Sequence, residues 1–121
     1  MTTAQEMADK IADIAAAESD ITHGRMISAF GDEARGDISL EIGENVIVMV
    51  GASEKLTKAL RILRDETPRR VEVVPCHWLC HLSDGSPIPA NMPRAIRPPK
   101  KGYKTPHFAS VFWRPVRPSA P

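Results

Sequence analysis

The most reactive side chains of this sequence lie together at residues 76–81, which are Cys-His-Trp-Leu-Cys-His. Thiolates and imidazoles are the ligands that zinc prefers, and four of them within six residues suggest a metal site. The same side chains act as nucleophile and base in thiol-dependent enzymes. Both chemistries need the side chains to converge, so the local backbone decides whether either is available.

The composition of residues 70–82 predicts an extended chain, and this prediction argues against convergence. On a strand, Cys76 and Cys80 point to one side and the two histidines next to them to the other. Four ligands then meet only with help from His23 or His107. The two cysteines would be about 13 Å apart on a strand, too far for a disulfide. We therefore expect free thiols and no bound zinc, and keep a small zinc domain as a third hypothesis.

Catalysis has little support in the spacing of the four histidines. Pairing His77 or His81 with a neighbouring cysteine fails on a strand, because adjacent residues point to opposite faces. The segment also has three residues between its cysteines, one more than a haem-attachment motif has. The secretory signal that accompanies such motifs is not evident in the sequence. The sequence accordingly predicts a protein that is not an enzyme and that has no cofactor.

Basic residues recur at every third position between Lys55 and Arg64, opposite much of a leucine face, and two more, Arg69 and Arg70, stand at the start of the next extended segment. Side chains so placed are suited to contact phosphates or groove edges, although most charged stripes are solvated helix faces. Acidic neighbours dilute the positive charge. The candidate nucleic-acid contacts in this region are Lys55, Lys58, Arg61, Arg69 and Arg70.

Charge is distributed unevenly along the chain. Residues 1–85 contain nine Lys or Arg and all 15 Asp or Glu, a net charge of −6, whereas residues 86–121 contain seven Lys or Arg and no acid, as well as nine of the 11 prolines. Such asymmetry indicates an anionic partner or docking of the tail onto the body.

The densest basic cluster adds Lys100, Lys101, Tyr103 and Lys104 to the candidate nucleic-acid contacts, with Phe108 and Trp113 as further stacking platforms. Alternatively, the aromatic residues form a core strand and the basic loop only solubilises it.

The elements that position these residues begin with a helix capped by Thr3 and Glu6. A second short helix follows, for which Ser19-Asp20 offers the cap. Strands are predicted over Ile38–Ile42 and Asn45–Val50, with the start of a buried helix as the alternative for the second segment.

The best helix of the sequence starts after Ser53 and ends at Thr67-Pro68, with Leu56, Leu60 and Leu63 as its core face. A simple N-cap explains Ser53 better than a phosphate site, because no phosphate-loop signature precedes it. Pro75 marks a bulge or a sheet edge.

The predicted fold class is α+β, with N-terminal helices, a small antiparallel sheet and one central amphipathic helix. The 121 residues suit an acidic core at 1–85 with a basic, proline-rich extension at 86–121, docked on the core through 103–117. No apolar run is long enough to span a membrane and no signal peptide is evident, so we expect a cytoplasmic protein.

Several motifs resemble small uncharacterised phage and prophage proteins of alphaproteobacteria. They are Gly51-Ala52-Ser53-Glu54, Leu82-Ser83-Asp84-Gly85, Tyr103-Lys104-Thr105-Pro106-His107-Phe108 and Val111-Phe112-Trp113-Arg114, and the similarity covers about residues 45–117. The resemblance implies a phage or mobile-element origin and no assigned chemistry. The element order is similar to a winged helix, in which a helix precedes a two-stranded wing, although residues 45–50 favour a strand where such domains have a helix.

Taken together, these patterns predict a small binding protein that contacts nucleic acid through helix 53–66 and the basic C-terminal segment. The alternative is a protein-binding accessory factor, such as an inhibitor of a host defence complex, whose acidic body meets a basic partner. The partner is thus nucleic acid or a host protein, and a homodimer is compatible with the sequence.

Overall fold

The computed structural model describes residues 2–77, 79–82, 85–89, 92–95 and 101–116. The helices are α1 (Ala4–Glu18), α2 (His23–Phe30), α3 (Glu54–Asp65) and the short α4 (Leu79–Leu82), and a 3₁₀ turn covers Gly31–Glu33. The strands are β1 (Arg35–Gly43), β2 (Val46–Ala52), β3 (Val71–Pro75), β4 (Arg94–Ala95), β5 (His107–Ala109) and β6 (Val111–Pro115). The α+β class predicted from the sequence is confirmed.

Helix termini follow the capping residues of the sequence. Thr3 and Glu6 form the predicted capping box of α1, with mutual bonds of 3.1 Å. Ser53 caps α3 by accepting from the N–H of Leu56 at 3.0 Å, as predicted. The cap of α2 is Thr22 and not Ser19-Asp20, because its hydroxyl accepts the N–H of Arg25 at 3.2 Å.

The larger sheet is mixed, and the prediction of an antiparallel sheet was wrong in this respect. Its strand order is β1-β2-β5-β4, in which β1 and β2 form an antiparallel hairpin while β5 runs parallel to both β2 and β4. Spacing along the chain identifies strands, but it does not determine the direction in which distant strands pair.

The second sheet is an antiparallel ribbon of two strands, β3 and β6. Residues 76–110 separate these two strands along the chain. Within the described residues after α3, no two consecutive strands form a hairpin, so the expected wing is not confirmed. The extended conformation predicted for residues 70–82 holds at β3 but fails at α4. Beyond Pro75, the ring of His77 accepts the N–H of Leu79 at 3.2 Å, which caps the short helix.

The core lies between the helices and both sheets. Helix α1 packs along α3, and the leucines predicted as the core face of α3, Leu56, Leu60 and Leu63, are at most 1% exposed. Phe108 and Trp113 from the C-terminal part of the chain are each 2% exposed. Strands β5 and β6 thus join the core of the domain, one in each sheet. Within the described ranges, no helix is long and apolar enough to cross a membrane.

Candidate functional site

The outward stripe of α3 carries equal numbers of acidic and basic side chains. The residues exposed along it are Glu54, Lys58, Arg61 and Asp65. The ammonium of Lys58 lies 3.2 Å from the carboxylate of Glu54, one helical turn away. Since the four formal charges cancel, the stripe presents no net positive charge to a phosphate backbone.

Lys55 is engaged within the fold. Its ammonium lies 2.7 Å from the carboxylate of Glu33, whose side chain also accepts from the backbone of Thr2 at 3.1 Å. The hydrogen bond from Lys55, followed by the one from Thr2, holds the pKa of Glu33 below its ordinary value. This predicted contact residue therefore fastens the N-terminus and the 3₁₀ turn to the start of α3.

Arg70 is held by two carboxylates, those of Asp9 on α1 and Glu66 at the end of α3, each at 3.0 Å. The hydrogen bond from Arg70 lowers the pKa of Glu66, and reciprocally Glu66 raises the pKa of Arg70. Arg70 thus links α1, α3 and β3, and a nucleic acid would have to displace these carboxylates to reach it.

Four other predicted contact residues are exposed and form no ion pair with any described residue: Arg61, Arg69, Lys101 and Lys104. Lys100 lies outside the described residues. The structure therefore divides the predicted set into cations that the fold neutralises and cations that remain available to a partner.

Lys101 and Lys104 belong to a loop (residues 101–107) that is fixed to the β1–β2 turn. The N–H of Tyr103 donates to the carbonyl of Glu44 at 2.9 Å, and the amide of Asn45 donates to the carbonyl of Tyr103 at 2.8 Å. The N–H of His107 donates to the carbonyl of Asn45, also at 2.8 Å. Three bonds to two consecutive residues hold the loop in place.

Gly102 allows this close approach. Its φ is +74°, and a Cβ at this position would collide with the carbonyl oxygen and the side chain of Glu44. The glycine therefore lets the loop lie directly against the hairpin turn. Lys101 and Lys104, on either side, are exposed.

An aromatic pair completes the loop. The rings of Tyr103 and His107 stack with their centroids 3.7 Å apart and an interplanar angle of 14°. Both residues are half-buried, so part of the pair faces solvent. The other predicted stacking platforms are not available, because Phe108 and Trp113 are buried in the core.

The segment that first suggested chemistry is arranged differently from the prediction. Because α4 reverses the chain, the Sγ of Cys76 lies 3.4 Å from the Nε2 of His81, and the His81 ring stacks on Phe112 at 6.3 Å. The strand geometry that argued against a Cys–His pair was therefore wrong. His81 lies five residues after Cys76, so its ring reaches the thiol only if the chain turns between them. The spacing of the residues alone does not indicate that turn.

This pair is buried, with Cys76 at 7% and His81 at 2% exposure. No group of three or more potential metal ligands occurs among the described residues, and the side chain of Cys80 lies outside them. The thiol and the imidazole are within hydrogen-bond distance, and the tautomer of the ring decides which of them donates. The contact fastens α4 onto the β3–β6 ribbon.

Comparisons with protein-family models, curated proteins and solved structures gave no significant match.

Proposed function

We propose that this chain is a small nucleic-acid-binding protein of phage or mobile-element origin, and that the loop at residues 101–107 is its principal contact surface. The observation that carries the proposal is the combination of two exposed lysines, which form no ion pair with a described residue, with a half-exposed aromatic pair on a loop fixed by three hydrogen bonds. Lysines supply phosphate contacts, and aromatic rings supply stacking surfaces that accept any base.

Preorganisation supports the loop as a binding surface. A loop already held on the hairpin loses less conformational entropy on binding than a free chain does. The two lysines flank Tyr103 within four residues, so one short stretch presents both phosphate-binding and stacking groups. Helix α3 contributes less in this proposal, because acids offset the cations along its outward stripe, and Arg61 and Arg69 remain as secondary contacts.

The experiment measures fluorescence anisotropy of a labelled 20-nucleotide single strand and of a matched duplex at about 50 mM salt, where phosphate contacts are strong. We expect the wild type to bind, and Tyr103→Ala to weaken single-strand binding by about 1–3 kcal/mol if a base stacks on this ring. Thr105→Ala, an exposed change in the same loop, is the control. Absence of wild-type binding to both probes would exclude this function.

A second candidate, a protein-binding accessory factor, has support from the surface of α1. A shallow depression along this helix is lined by four acidic residues and one lysine, together with two apolar residues: Glu6, Asp9, Asp13, Glu18, Lys10, Ile14 and Ala17. Asp9 and Glu18 pair with Arg70 and Arg25, so Glu6 and Asp13 are the acids of this surface that would meet a basic protein partner. It becomes the leading proposal if the wild type fails to bind nucleic acid.

A further inference from the structure

Among the described strands, β3 pairs with β6 alone. In the β3–β6 ladder, the N–H of Val116 donates to the carbonyl of Arg70, and the N–H of Cys76 donates to the carbonyl of Ser110, both at 3.0 Å. Hydrogen-bonded pairs alternate with non-bonded pairs in an antiparallel ladder. The register therefore turns the backbone groups of even-numbered β3 residues toward β6.

The odd-numbered residues present the opposite edge. The N–H and C=O groups of Val71 and Val73 point away from β6, and no strand among the described residues pairs with them. Val71 is only 2% exposed, whereas Val73 is half-buried, so Val73 is the accessible part of this edge. Pro75 has no N–H, so this edge ends there. An unpaired edge of this kind is a template for a further strand.

A groove of about 320 Å³ lies beside this edge. Four apolar residues contribute to its lining: Ile42, Val71, Val73 and Trp113. Ile42, at 39% exposure, is one of the few large apolar side chains that the described surface exposes. The groove thus offers an apolar pocket next to unpaired backbone groups.

The polar residues of the groove carry an excess of positive charge. They are Arg64, Arg69 and Glu72. Arg64 has only an exposed 3.4 Å contact with its neighbour Asp65, and Arg69 forms no ion pair with a described residue. Guanidinium groups bind carboxylates in bidentate geometry. The groove is therefore complementary to an anionic chain that also carries apolar side chains.

We propose that β3 binds an extended acidic segment of a partner protein by strand addition. The backbone of the segment hydrogen-bonds to Val73, an apolar side chain enters the groove beside Ile42, and carboxylates two residues away on the same face of the segment pair with Arg64 and Arg69. This surface is separate from the loop at residues 101–107 and implies a partner of a different class, so it goes beyond the function proposed above.

The test uses a fluorescein-labelled heptapeptide, Thr-Glu-Thr-Val-Thr-Glu-Thr, titrated by anisotropy against the full chain, because its valine and both glutamates lie on one face of a strand. We expect saturable binding. Val73→Pro removes one edge N–H but no ladder bond, and we expect it to weaken binding about tenfold, as the loss of one backbone hydrogen bond implies. Lys58→Gln, on the outward stripe of α3, is the control and should bind as the wild type does.

A second variant keeps the test decisive if Val73→Pro fails to fold. Arg64→Gln combined with Arg69→Gln leaves the backbone edge intact. This double variant should bind the acidic peptide more weakly than the wild type does. Its affinity for that peptide should approach its affinity for a matched peptide with lysine in place of glutamate. Failure of the acidic peptide to bind up to about 1 mM, the weak limit of specific recognition, would overturn the proposal. Equal affinity of the wild type for a peptide with alternate amides N-methylated would also overturn it, because such a peptide cannot add a strand.

Discussion

Helix α3 and the loop at residues 101–107 both bring basic side chains to the surface, but their electrostatic surroundings differ. On the outward stripe of α3, Lys58 and Arg61 are matched by Glu54 and Asp65. On the loop, Lys101 and Lys104 form no ion pair with described residues. A count of cations along a sequence thus overstates the field of a helix whose acids lie on the same stripe.

The two regions also differ in what fixes them. Helix α3 is held by burial of its leucine face, whereas the loop is held by hydrogen bonds to the β1–β2 turn and by one glycine. We therefore expect substitutions in the leucine face of α3 to lower mainly the free energy of unfolding. Substitutions in the loop should weaken mainly the binding of nucleic acid.

Leu60→Ala should lower the free energy of unfolding by about 2–5 kcal/mol, because it leaves a cavity at a fully buried site. Urea denaturation followed by circular dichroism measures the change. Lys58→Ala on the exposed stripe of the same helix is the control and should stay within about 0.5 kcal/mol of the wild type. An unchanged midpoint for Leu60→Ala would remove α3 from the core.

Gly102→Ala should cost about 1–3 kcal/mol, since a positive φ strains any residue with a Cβ and the new Cβ would meet Glu44. Gly31→Ala is the matched control, because its φ is +60° but its Cβ would meet no atom within 4 Å. Thermal unfolding of both variants separates the contact from the backbone strain. Equal losses would mean that the loop does not rest on the hairpin turn.

The ion pair of Glu66 with Arg70 should contribute a smaller, pH-dependent term, below about 1 kcal/mol for an exposed pair. The pKa of Glu66 is lowered in the folded state from an ordinary value of 4.5. Its contribution is therefore present above this value and is lost as the pH falls through the lower, folded pKa. Glu66→Gln should be less stable than the wild type at pH 7, and the difference should vanish in acid. A difference that persists at pH 2 would contradict this account.

Local signals in the sequence predicted much of the helical structure. The capping box at Thr3, the cap at Ser53 and the leucine spacing of α3 each specify an element within a few residues, and the structure confirms them. Such features depend on neighbours one helical turn away. For the same reason, the leucine core face was predictable residue by residue.

The parts that could not be predicted depend on distant residues. The parallel pairing of β2 with β5 joins segments about 60 residues apart, and no local pattern encodes that direction. The return of His81 to Cys76 follows from a short helix that the apolar composition of residues 70–82 concealed. The partners of Lys55 and Arg70 also come from other elements, so their engagement was visible only in the fold.

The most direct test of the central claim compares two variants that remove the same charge from the two regions. Lys101→Gln with Lys104→Gln, and Lys58→Gln with Arg61→Gln, each change the net charge from +1 to −1. The measurement is the dependence of duplex affinity on salt concentration. We predict that the loop variant reduces the slope of log K against log salt by about 1.8, the value for two lost phosphate contacts, and that the α3 variant changes it much less. A full wild-type slope in the loop variant, with a reduced slope in the α3 variant, would contradict the account.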